Sequence, residues 1–331
     1  MSQAAGSLRA ARLSDRQALV DLSRQVHDAK EGYRRSLGVP AQSSTLPRFS
    51  LAALMPSWLP LRPPSVHMVA EWDGQLVGSC RAVEEPHRED WVITELDAAD
   101  SPMAGEVRYE LLKAVIEEGA QRNVARYHAA CADVPENMEL FGQLDFMAYA
   151  HEEIWYRAPS SGEKAGSEAD LQPATPRDAW HLFDLWTHAT PPAIARIEGY
   201  GAADWEPVGH EGVVPRSSLN PILRFTGVSA WLKPDAERVA GFAQHGACRS
   251  GPHYLRFLVR DGADGAAFLA AVVAAVGDEG RAAGLLAPVR TYEAPGRQAA
   301  ADSGFEPVGE VSMLVREVRA SVRQPAMVPA V

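Results

Sequence analysis

The sequence predicts a mixed α/β fold in which one unit of sheet and helices is built twice along 331 residues. The clearest sign is segment 253–275, where apolar residues first alternate and then, after a turn with Gly262 and Gly265, recur every three or four residues. The first spacing is that of a sheet strand, and the second is that of a helix with one apolar face. An internal duplication and a common order of elements in both copies extend this prediction to the whole chain.

The duplication appears as matched residues at a constant offset of 163 positions. Residues 8–22 (LRAARLSDRQALVDL) align without a gap with residues 171–185 (LQPATPRDAWHLFDL), and Gly78 falls on Gly241. Two further pairs match near the ends of the halves at an offset of 159: Phe146 with Phe305 and Arg157 with Arg316. A long and nearly constant offset indicates duplication of a whole domain and not a short repeat.

Each half contains the same predicted order of elements. After an opening strand and helix, the first half has predicted strands at 66–72, 75–83, 91–96, 127–132 and 146–157, with helices at 106–126 and 136–144. The second half has predicted strands at 228–232, 238–245, 253–259, 285–292 and 305–318, with helices at 265–279 and 297–303. Asp73 and Gly74 give the strongest hairpin signal in the chain. These elements predict a mixed sheet flanked by helices.

The composition around the halves sets the predicted domain boundaries. Residues 159–169 (PSSGEKAGSEA) have the composition of a linker, and residues 320–331 contain two prolines and no periodicity. We therefore predict an N-terminal domain over 1–158, a C-terminal domain over 170–319 and a flexible tail.

The bulk composition excludes two classes of partner. A formal net charge of −11 argues against nucleic acid, because binding to its phosphates needs clustered Lys and Arg. No run of residues approaches the roughly 18 apolar residues of a membrane span, and the start of the chain lacks the apolar core of a signal peptide. We expect a cytoplasmic protein with no nucleic-acid and no membrane partner.

The three cysteines, Cys80, Cys131 and Cys248, are far apart and form no CxxC pair. Cys80 and Cys131 fall in predicted strands, so buried thiols are expected in preference to a disulfide or a zinc site. A nucleophilic cysteine stays an open alternative. No spacing of His and Glu suggests a metal ligand set, so no metal is expected.

Two irregular stretches interrupt the pattern at equivalent places, between the first helix and the hairpin of each half. They cover residues 37–65 and 191–221 and contain several prolines and large aromatic residues. Loops of this length in compact domains often act as lids over a binding site. The alternative is a loop with a weakly patterned helix that packs over the sheet, and both interpretations stay open.

Each half resembles the GCN5-related N-acetyltransferase (GNAT) superfamily, and the whole chain is similar to a tandem GNAT protein. The resemblance lies in the two aligned starts, the hairpins EWDGQLVGSC and LKPDAERVAGF, and the ends GQLDFMAYAHEEIWYR and DSGFEPVGEVSMLVRE. It covers nearly all of residues 8–318. It implies two GNAT-like acyl-CoA N-acyltransferase domains, acetyl-CoA or another acyl-CoA as co-substrate, and a small-molecule or peptide amine as acceptor.

The resemblance also implies a phosphate loop after the fourth strand: Gln or Arg, two residues, Gly, one residue, then Gly or Ala. The first half has Met103, Glu106 and Arg108 there, so its loop is degenerate. The second half has Arg260, Ala263 and Gly265, an approximate match with alanine in place of the first glycine. The cofactor-binding residues are therefore predicted to be in the second half: Arg260, Gly262, Ala263, Gly265 and Ala266.

Three residues are the candidates for catalysis. Glu95 lies on the fourth strand, where the family often has a carboxylate base, and His128 on the next strand is an alternative base. Tyr292 follows the fifth strand of the second half and replaces, in this prediction, the tyrosine proton donor of the family. That donor is missing from its usual positions, which hold Phe141 and Ala300. For each candidate an ordinary packed or exposed side chain is the alternative, and His245 is a further histidine of this kind.

The resulting hypothesis is an acyltransferase that moves an acetyl or other acyl group from acyl-CoA to an amine. The alternative is a catalytically inactive GNAT-fold scaffold or small-ligand-binding protein, favoured by the two weakened phosphate loops. Whether the chain also forms a homodimer is left open by the sequence.

Overall fold

A computed structural model of the chain describes residues 6–23, 25, 65–85, 89–160, 171–208, 216–219, 225–249 and 251–318. Most of the first proline-containing stretch, most of the predicted linker, parts of the second stretch and the predicted tail lie outside these residues. None of the described helices combines the length and the apolar character needed to span a membrane.

The first half has the following elements in chain order: β1 (Ser7–Ala10), α1 (16–23), β2 (Ser65–Trp72), β3 (Gln75–Glu84), β4 (Asp90–Ala98), α2 (Ala104–Gln121), β5 (Arg126–Ala132), α3 (Pro135–Gly142) and β6 (Met147–Arg157). The second half continues with β7 (Gln172–Pro173), α4 (Ala179–Ala189), α5 (Pro192–Glu198), β8 (Phe225–Asp235), β9 (Arg238–Cys248), β10 (His253–Val259), α6 (Gly265–Ala275), α7 (Gly277–Ala283), β11 (Leu285–Arg290), α8 (Ala294–Asp302) and β12 (Glu306–Glu317). The predicted mixed α/β class is confirmed.

Two predicted helices end earlier than their apolar pattern suggests. The helix predicted to reach residue 126 ends at Gln121, because Asn123 has a φ of 60° in the left-handed region. The helix predicted over 265–279 is two helices, because Gly277 has a φ of +82° and interrupts the first of them. The apolar spacing continues across both breaks, so periodicity alone could not show them.

The structure of the duplicated segments is the same in both halves. Asp15 accepts a hydrogen bond from the backbone N–H of Arg12 at 2.7 Å, and Asp178 accepts one from Thr175 at 2.8 Å. Both aspartates therefore cap the turn that precedes the first helix of their half. The apolar faces of those helices are buried at matching positions, with Leu19 1% and Leu182 0% exposed.

The matched glycines mark the place where the main helix of each half packs on its sheet. A Cβ on Gly78 would lie 2.5 Å from the side chain of Val107 on α2, and a Cβ on Gly241 would lie 2.9 Å from the ring of Phe268 on α6. Any larger residue would push the helix away from the strand. The same packing requirement therefore explains both glycines of the alignment.

The strands of the described residues form a single sheet of 12 strands in which the two halves exchange their last strands. The order is β1-β2-β3-β4-β5-β12-β6-β11-β10-β9-β8-β7. β12 pairs antiparallel with β5 of the first half, and β6 pairs antiparallel with β11 of the second half. The two exchanged strands also pair with each other. Each half therefore depends on the other for the strand that completes its side of the sheet.

Candidate functional site

The first half has an opening between two parallel strands. β4 and β5 pair only from Asp90 with Arg126 to Val92 with His128, and beyond this point they part. Next to β3, β4 contains a bulge. Ala82 of β3 pairs with Ile93 and Arg81 pairs with Glu95, so Thr94 between them has no partner on β3. Such a bulge bends a strand and changes the direction of its side chains. The strand thus turns away from β5 at the opening.

The helix after this opening begins without a side-chain cap. α2 follows β4, and Met103 at its N-cap position makes no capping hydrogen bond. A Cβ added to Gly105 would meet nothing within 4 Å, so this first turn is sterically open. The first N–H groups of a helix have no partner within the helix and favour an anion. Glu106 is exposed in the same turn, and its negative charge would repel a bound anion.

Glu95 lies on β4 directly after the bulge. Its side chain is 24% exposed and one of its carboxylate oxygens is 3.7 Å from a guanidinium nitrogen of Arg81 on β3. The predicted base thus lies on the strand that borders the first-half opening, at the edge of the bulge, and is accessible to solvent.

The corresponding opening of the second half is filled by charged side chains. β10 and β11 pair only at His253 with Leu285 and at Tyr254 with Leu286. Where they part, Arg256 donates hydrogen bonds at 2.8 Å to the carboxylate of Glu293 and to the backbone carbonyl of Phe257. Arg256 is 1% and Glu293 5% exposed. A buried ion pair therefore joins β10 to the residue that precedes α8, just beyond the end of β11.

The predicted phosphate loop lies at the end of β10. Arg260 donates from Nε to the carbonyl of Val239 at 2.9 Å and from Nη2 to the carboxylate of Asp184 at 2.6 Å. The hydrogen bond from this guanidinium holds the pKa of Asp184 below its usual range. The arginine expected to contact phosphate thus binds α4, so a pyrophosphate would have to compete with the carboxylate of Asp184.

The other predicted loop residues also have structural partners. Gly262 has a φ of +80°, which explains glycine there, whereas a Cβ on Gly265 would lie 3.0 Å from Ala299 of α8. The backbone N–H of Ala263 donates a hydrogen bond to the backbone carbonyl of Arg260 within the turn, and Ala266 lies in the first turn of α6. The carboxylate of Asp264 caps α6 by accepting from the N–H of Ala267 at 3.0 Å. The turn is therefore stable without a ligand, and the cap carries the same sign of charge as a phosphate.

A cluster of buried polar side chains joins the two halves. Arg290 of β11 donates to the carboxylate of Glu198 on α5 at 2.9 Å, and its Nε is 3.4 Å from the carboxylate of Glu152 on β6. Arg216 forms an ion pair with Glu85 at the end of β3. We call the following residues the junction cluster: Glu85, Asp90, His128, Tyr149, Glu152, Glu198, Arg216, Ser217, Ser218, Tyr254, Arg256, Arg290, Tyr292 and Glu293. Its ion pairs cross between the halves, so the cluster contributes to holding them together.

The junction cluster contains two of the three predicted catalytic residues. His128 is 1% exposed, its Nε2 is 3.4 Å from a carboxylate oxygen of Asp90, and burial lowers its pKa to about 4. Burial, with the neighbouring charge of Glu293, raises the pKa of the Tyr292 phenol. His128 is therefore neutral near pH 7, and Tyr292 holds its proton firmly. Glu95 contacts Arg81 instead, so the three candidates do not form one site.

The second proline-containing stretch takes part in this junction. Its helix α5 accepts a hydrogen bond from Arg126 of the first half at the carbonyl of Ile197, 2.7 Å away. Its last residue, Glu198, is 1% exposed, and burial raises the pKa of the carboxyl. The part of this stretch that the structure describes therefore fits the alternative of a helix packed over the sheet. Residues 209–215 and 220–221 of this stretch, and the first stretch from 37 to 64, lie outside the described residues.

Little in the sequence predicts the junction cluster. Arg256 is the best available signal, because it interrupts an otherwise apolar strand, but a single polar residue also fits the alternating pattern of a strand. Glu152 and Arg290 occupy ordinary positions in predicted strands, and Arg216 lies in an irregular stretch. Their partners come from distant segments, so no local spacing could have brought them together.

Of the two cysteines expected to be buried, Cys80 is fully and Cys131 only partly shielded from solvent. Cys80 and Cys248 are buried, Cys131 is partly buried, and none of the three forms a disulfide. Burial raises the pKa of the Cys80 thiol and raises that of Cys131 to about 11. A thiol with a raised pKa is a poor nucleophile near neutral pH.

Buried histidines are expected to make the free energy of unfolding sensitive to acid. Burial lowers the pKa of His67, His128 and His245 from 6.5 to about 4. Between these values the unfolded chain binds protons that the folded chain does not, so stability is complete above pH 6.5 and falls as the pH decreases. Each histidine contributes about 1.4 kcal/mol per pH unit. Glu198 acts in the opposite direction, because its raised pKa lets the folded chain hold a proton.

Urea unfolding at several pH values between about 7.5 and 5 measures this effect. In the variant His128→Gln the dependence on pH should be weaker by about 1.4 kcal/mol per unit, whereas the exposed His181→Gln should behave as the wild type. Equal free energies of unfolding at both ends of this range would contradict the prediction.

Comparison with known proteins identifies the fold. Neither a family model nor a curated protein matches the sequence. A tandem GNAT protein from the clavulanic acid biosynthesis pathway, solved without acetyl-CoA, has a TM-score of 0.57 at 11% identity, covering 95% of this chain and 98% of its own. A GCN5-related N-acetyltransferase from Sphaerobacter thermophilus has a TM-score of 0.56 at 12% identity, covering 94% and 95%. The predicted tandem GNAT fold is confirmed.

Proposed function

Starting from the tandem GNAT fold, we propose that this chain moves an acetyl or other acyl group from acyl-CoA to an amine of a small molecule or peptide, and that the first half holds the acyl-CoA. The observation that carries the proposal is the difference between the two openings. In the second half, Arg256 and Glu293 occupy the place where the parallel strands part. In the first half, β4 bends away from β5 and leads to an uncapped helix.

The backbone of the first-half opening suits an extended ligand that contains amides. Past Val92, β4 no longer pairs with β5, so its edge there has N–H and C=O groups for hydrogen bonds to such a chain. The first turn of α2 would then receive the pyrophosphate. The sequence match favours the second-half turn of Arg260, Gly262, Ala263, Gly265 and Ala266, but the hydrogen bonds of Arg260 and Asp264 make that turn the weaker candidate.

The reaction proceeds by attack of the amine nitrogen on the thioester carbonyl carbon. A new C–N bond forms, the C–S bond breaks, CoA leaves as a thiolate, and the amine loses one proton. In the proposal Glu95 accepts that proton, and Arg81 at 3.7 Å positions its carboxylate. The thiolate takes a proton from solvent, and alignment of the two reactants supplies much of the rate.

Two matched charge-removing variants test which half binds acyl-CoA. In Glu106→Gln, titration with acetyl-CoA should show about fivefold tighter binding, because an exposed carboxylate close to the pyrophosphate costs on the order of 1 kcal/mol. Asp261→Asn removes the same charge from the exposed second-half turn and should leave the affinity unchanged. The opposite pattern, with tighter binding only in Asp261→Asn, would contradict the assignment to the first half.

The second candidate function is a catalytically inactive protein that binds a small polar ligand or acts as a scaffold. It is favoured by polar atoms of the junction cluster that lack a hydrogen bond: among the described residues these include Nη1 of Arg216, Nε of Arg256 and Nη1 of Arg290. Buried polar atoms usually have a partner. If titration with acetyl-CoA and longer acyl-CoAs up to millimolar concentration gives no heat, this second function replaces the first.

A further inference from the structure

Three side chains that commonly bind metals meet on neighbouring strands, away from the residues used above. Asp133 directly follows β5, Glu310 lies on β12 and His151 lies on β6. The Nδ1 atom of His151 is 3.7 Å from a carboxylate oxygen of Asp133 and 3.9 Å from one of Glu310. All three ligand atoms lie within 4.8 Å of one another. Since the strands are adjacent in the sheet, the pairing of the backbone maintains this convergence.

The charges at this place are unbalanced. Among the residues that the structure describes, neither carboxylate forms an ion pair with a lysine or arginine, and both face the same imidazole nitrogen. Two carboxylates so close together repel each other, and a bound cation would remove this repulsion. The side chains of Asp133, His151 and Glu310 are 41, 44 and 56% exposed, so an ion can reach them from solvent.

We propose that Asp133, His151 and Glu310 form a binding site for Zn²⁺. Zinc is bound by histidine nitrogen and carboxylate oxygen at about 2.0–2.2 Å, so the ligand atoms of a tetrahedral site lie about 3.3–3.6 Å apart. The two distances from Nδ1 of His151, 3.7 and 3.9 Å, are close to this spacing, and rotation of the half-exposed side chains can bring all three ligand atoms, now within 4.8 Å of one another, to it. Three protein ligands leave the fourth position for water. Mg²⁺ and Ca²⁺ prefer oxygen ligands alone, so the imidazole favours zinc.

A serine hydroxyl lies beside the histidine nitrogen of this site. Ser312, buried on β12, pairs with His151 in the sheet, and its hydroxyl is 3.3 Å from Nδ1. When this hydroxyl donates to Nδ1, it uses the electron pair that zinc needs. Metal binding therefore requires the hydroxyl to rotate away, and removing it should not weaken binding.

The location of the site gives the bound ion a structural effect. Asp133 comes directly after β5 of the first half, and the other two ligands lie on the two exchanged strands, β6 of the first half and β12 of the second. One ion would therefore join strands of both halves at the place where they cross. Because the metal binds the folded chain, it should stabilise the exchanged arrangement.

Titration of the metal-free full-length protein with Zn²⁺, followed by calorimetry, tests the proposal. We expect one ion per chain and a higher melting temperature with zinc than without it. In His151→Ala the affinity should fall at least about 100-fold, since the loss of an outer-shell partner alone costs 10–100-fold. Ser312→Ala should bind zinc at least as well as the wild type. His181→Ala, at an exposed histidine outside the site, should not change binding.

Two results would overturn the proposal. The first is zinc binding in His151→Ala that equals that of the wild type, which would place the ion elsewhere. The second is no saturable binding by the wild type at micromolar zinc. If His151→Ala does not fold, Glu310→Gln on the exposed carboxylate replaces it, and unchanged zinc affinity in that variant has the same meaning. The proposal does not depend on acyl transfer, so each can fail without the other.

Discussion

A chain that ends at Gly304 is expected to lose its cooperative unfolding transition and to aggregate. This truncation removes β12, which lies between β5 and β6 and pairs with both. Met313, Leu314 and Val315 on this strand are at most 2% exposed, so the truncation also opens the centre of the core. Two strand edges would be left without a partner in the middle of the sheet, and such edges promote aggregation.

The control for this truncation is a chain that ends at Val318, which keeps every described element. We expect it to keep the wild-type melting temperature, measured by circular dichroism. If the chain that ends at Gly304 instead melts cooperatively within a few degrees of the wild type, β12 does not have the central place assigned to it.

The variant Glu293→Ala is expected to lower the free energy of unfolding by about 3–5 kcal/mol, the usual cost of leaving one charge of a buried pair without its partner. Arg256 would keep its full charge at 1% exposure. The same carboxylate also accepts a hydrogen bond from the backbone N–H of Arg290 at 3.1 Å, which is lost as well. Urea unfolding measures the change.

A double variant separates the cost of the unpaired charge from loss of packing. Arg256→Met with Glu293→Leu replaces both charges by apolar groups and should recover most of the stability, because such replacements are often neutral or stabilising. Glu118→Ala removes from α2 a partly exposed partner of Arg122 and should cost less than about 0.5 kcal/mol. A cost of Glu293→Ala as small as that of Glu118→Ala would show that the buried pair contributes little.

The sequence predicted the elements and the duplication because both leave a local pattern. The hairpin at Asp73 and Gly74 is present, with φ values of 51° and 75° that the residue types favour. The strand over 253–259 has the predicted limits. The matched Asp15 and Asp178 have the same capping role, so a correct alignment of two segments led to a correct interpretation of both.

The exchange of strands could not be predicted in this way. The residues of β6 and β12 have the same strand pattern whichever half they pair with, since periodicity shows which face is buried but not which neighbour lies beside it. Leu285 of β11 pairs with Arg157 of β6 in the sheet, and this neighbour depends on how all the strands are arranged. The predicted limits of the two domains, at 158 and 170, therefore stay a prediction based on the duplication.

The candidate site was predictable only in part. The sequence predicts Glu95 on the fourth strand of the first half, and in the structure this strand borders the opening between β4 and β5. It also directed attention to the turn of Arg260 and Gly265, where the structure has a salt bridge to α4 and close helix packing. A glycine needed for packing looks the same in a sequence as a glycine needed for a phosphate. The packing reason for Gly265 becomes visible only in the structure, where an added Cβ would lie 3.0 Å from the side chain of Ala299.

Hydrogen exchange of the full-length protein with and without acetyl-CoA tests the central claim most directly, because it locates the ligand along the chain. We expect slower exchange in residues 93–98 of β4 and in the first turn of α2, with no change over residues 256–266. Slower exchange over 256–266 with no change in β4 would contradict the claim that the first half holds the acyl-CoA.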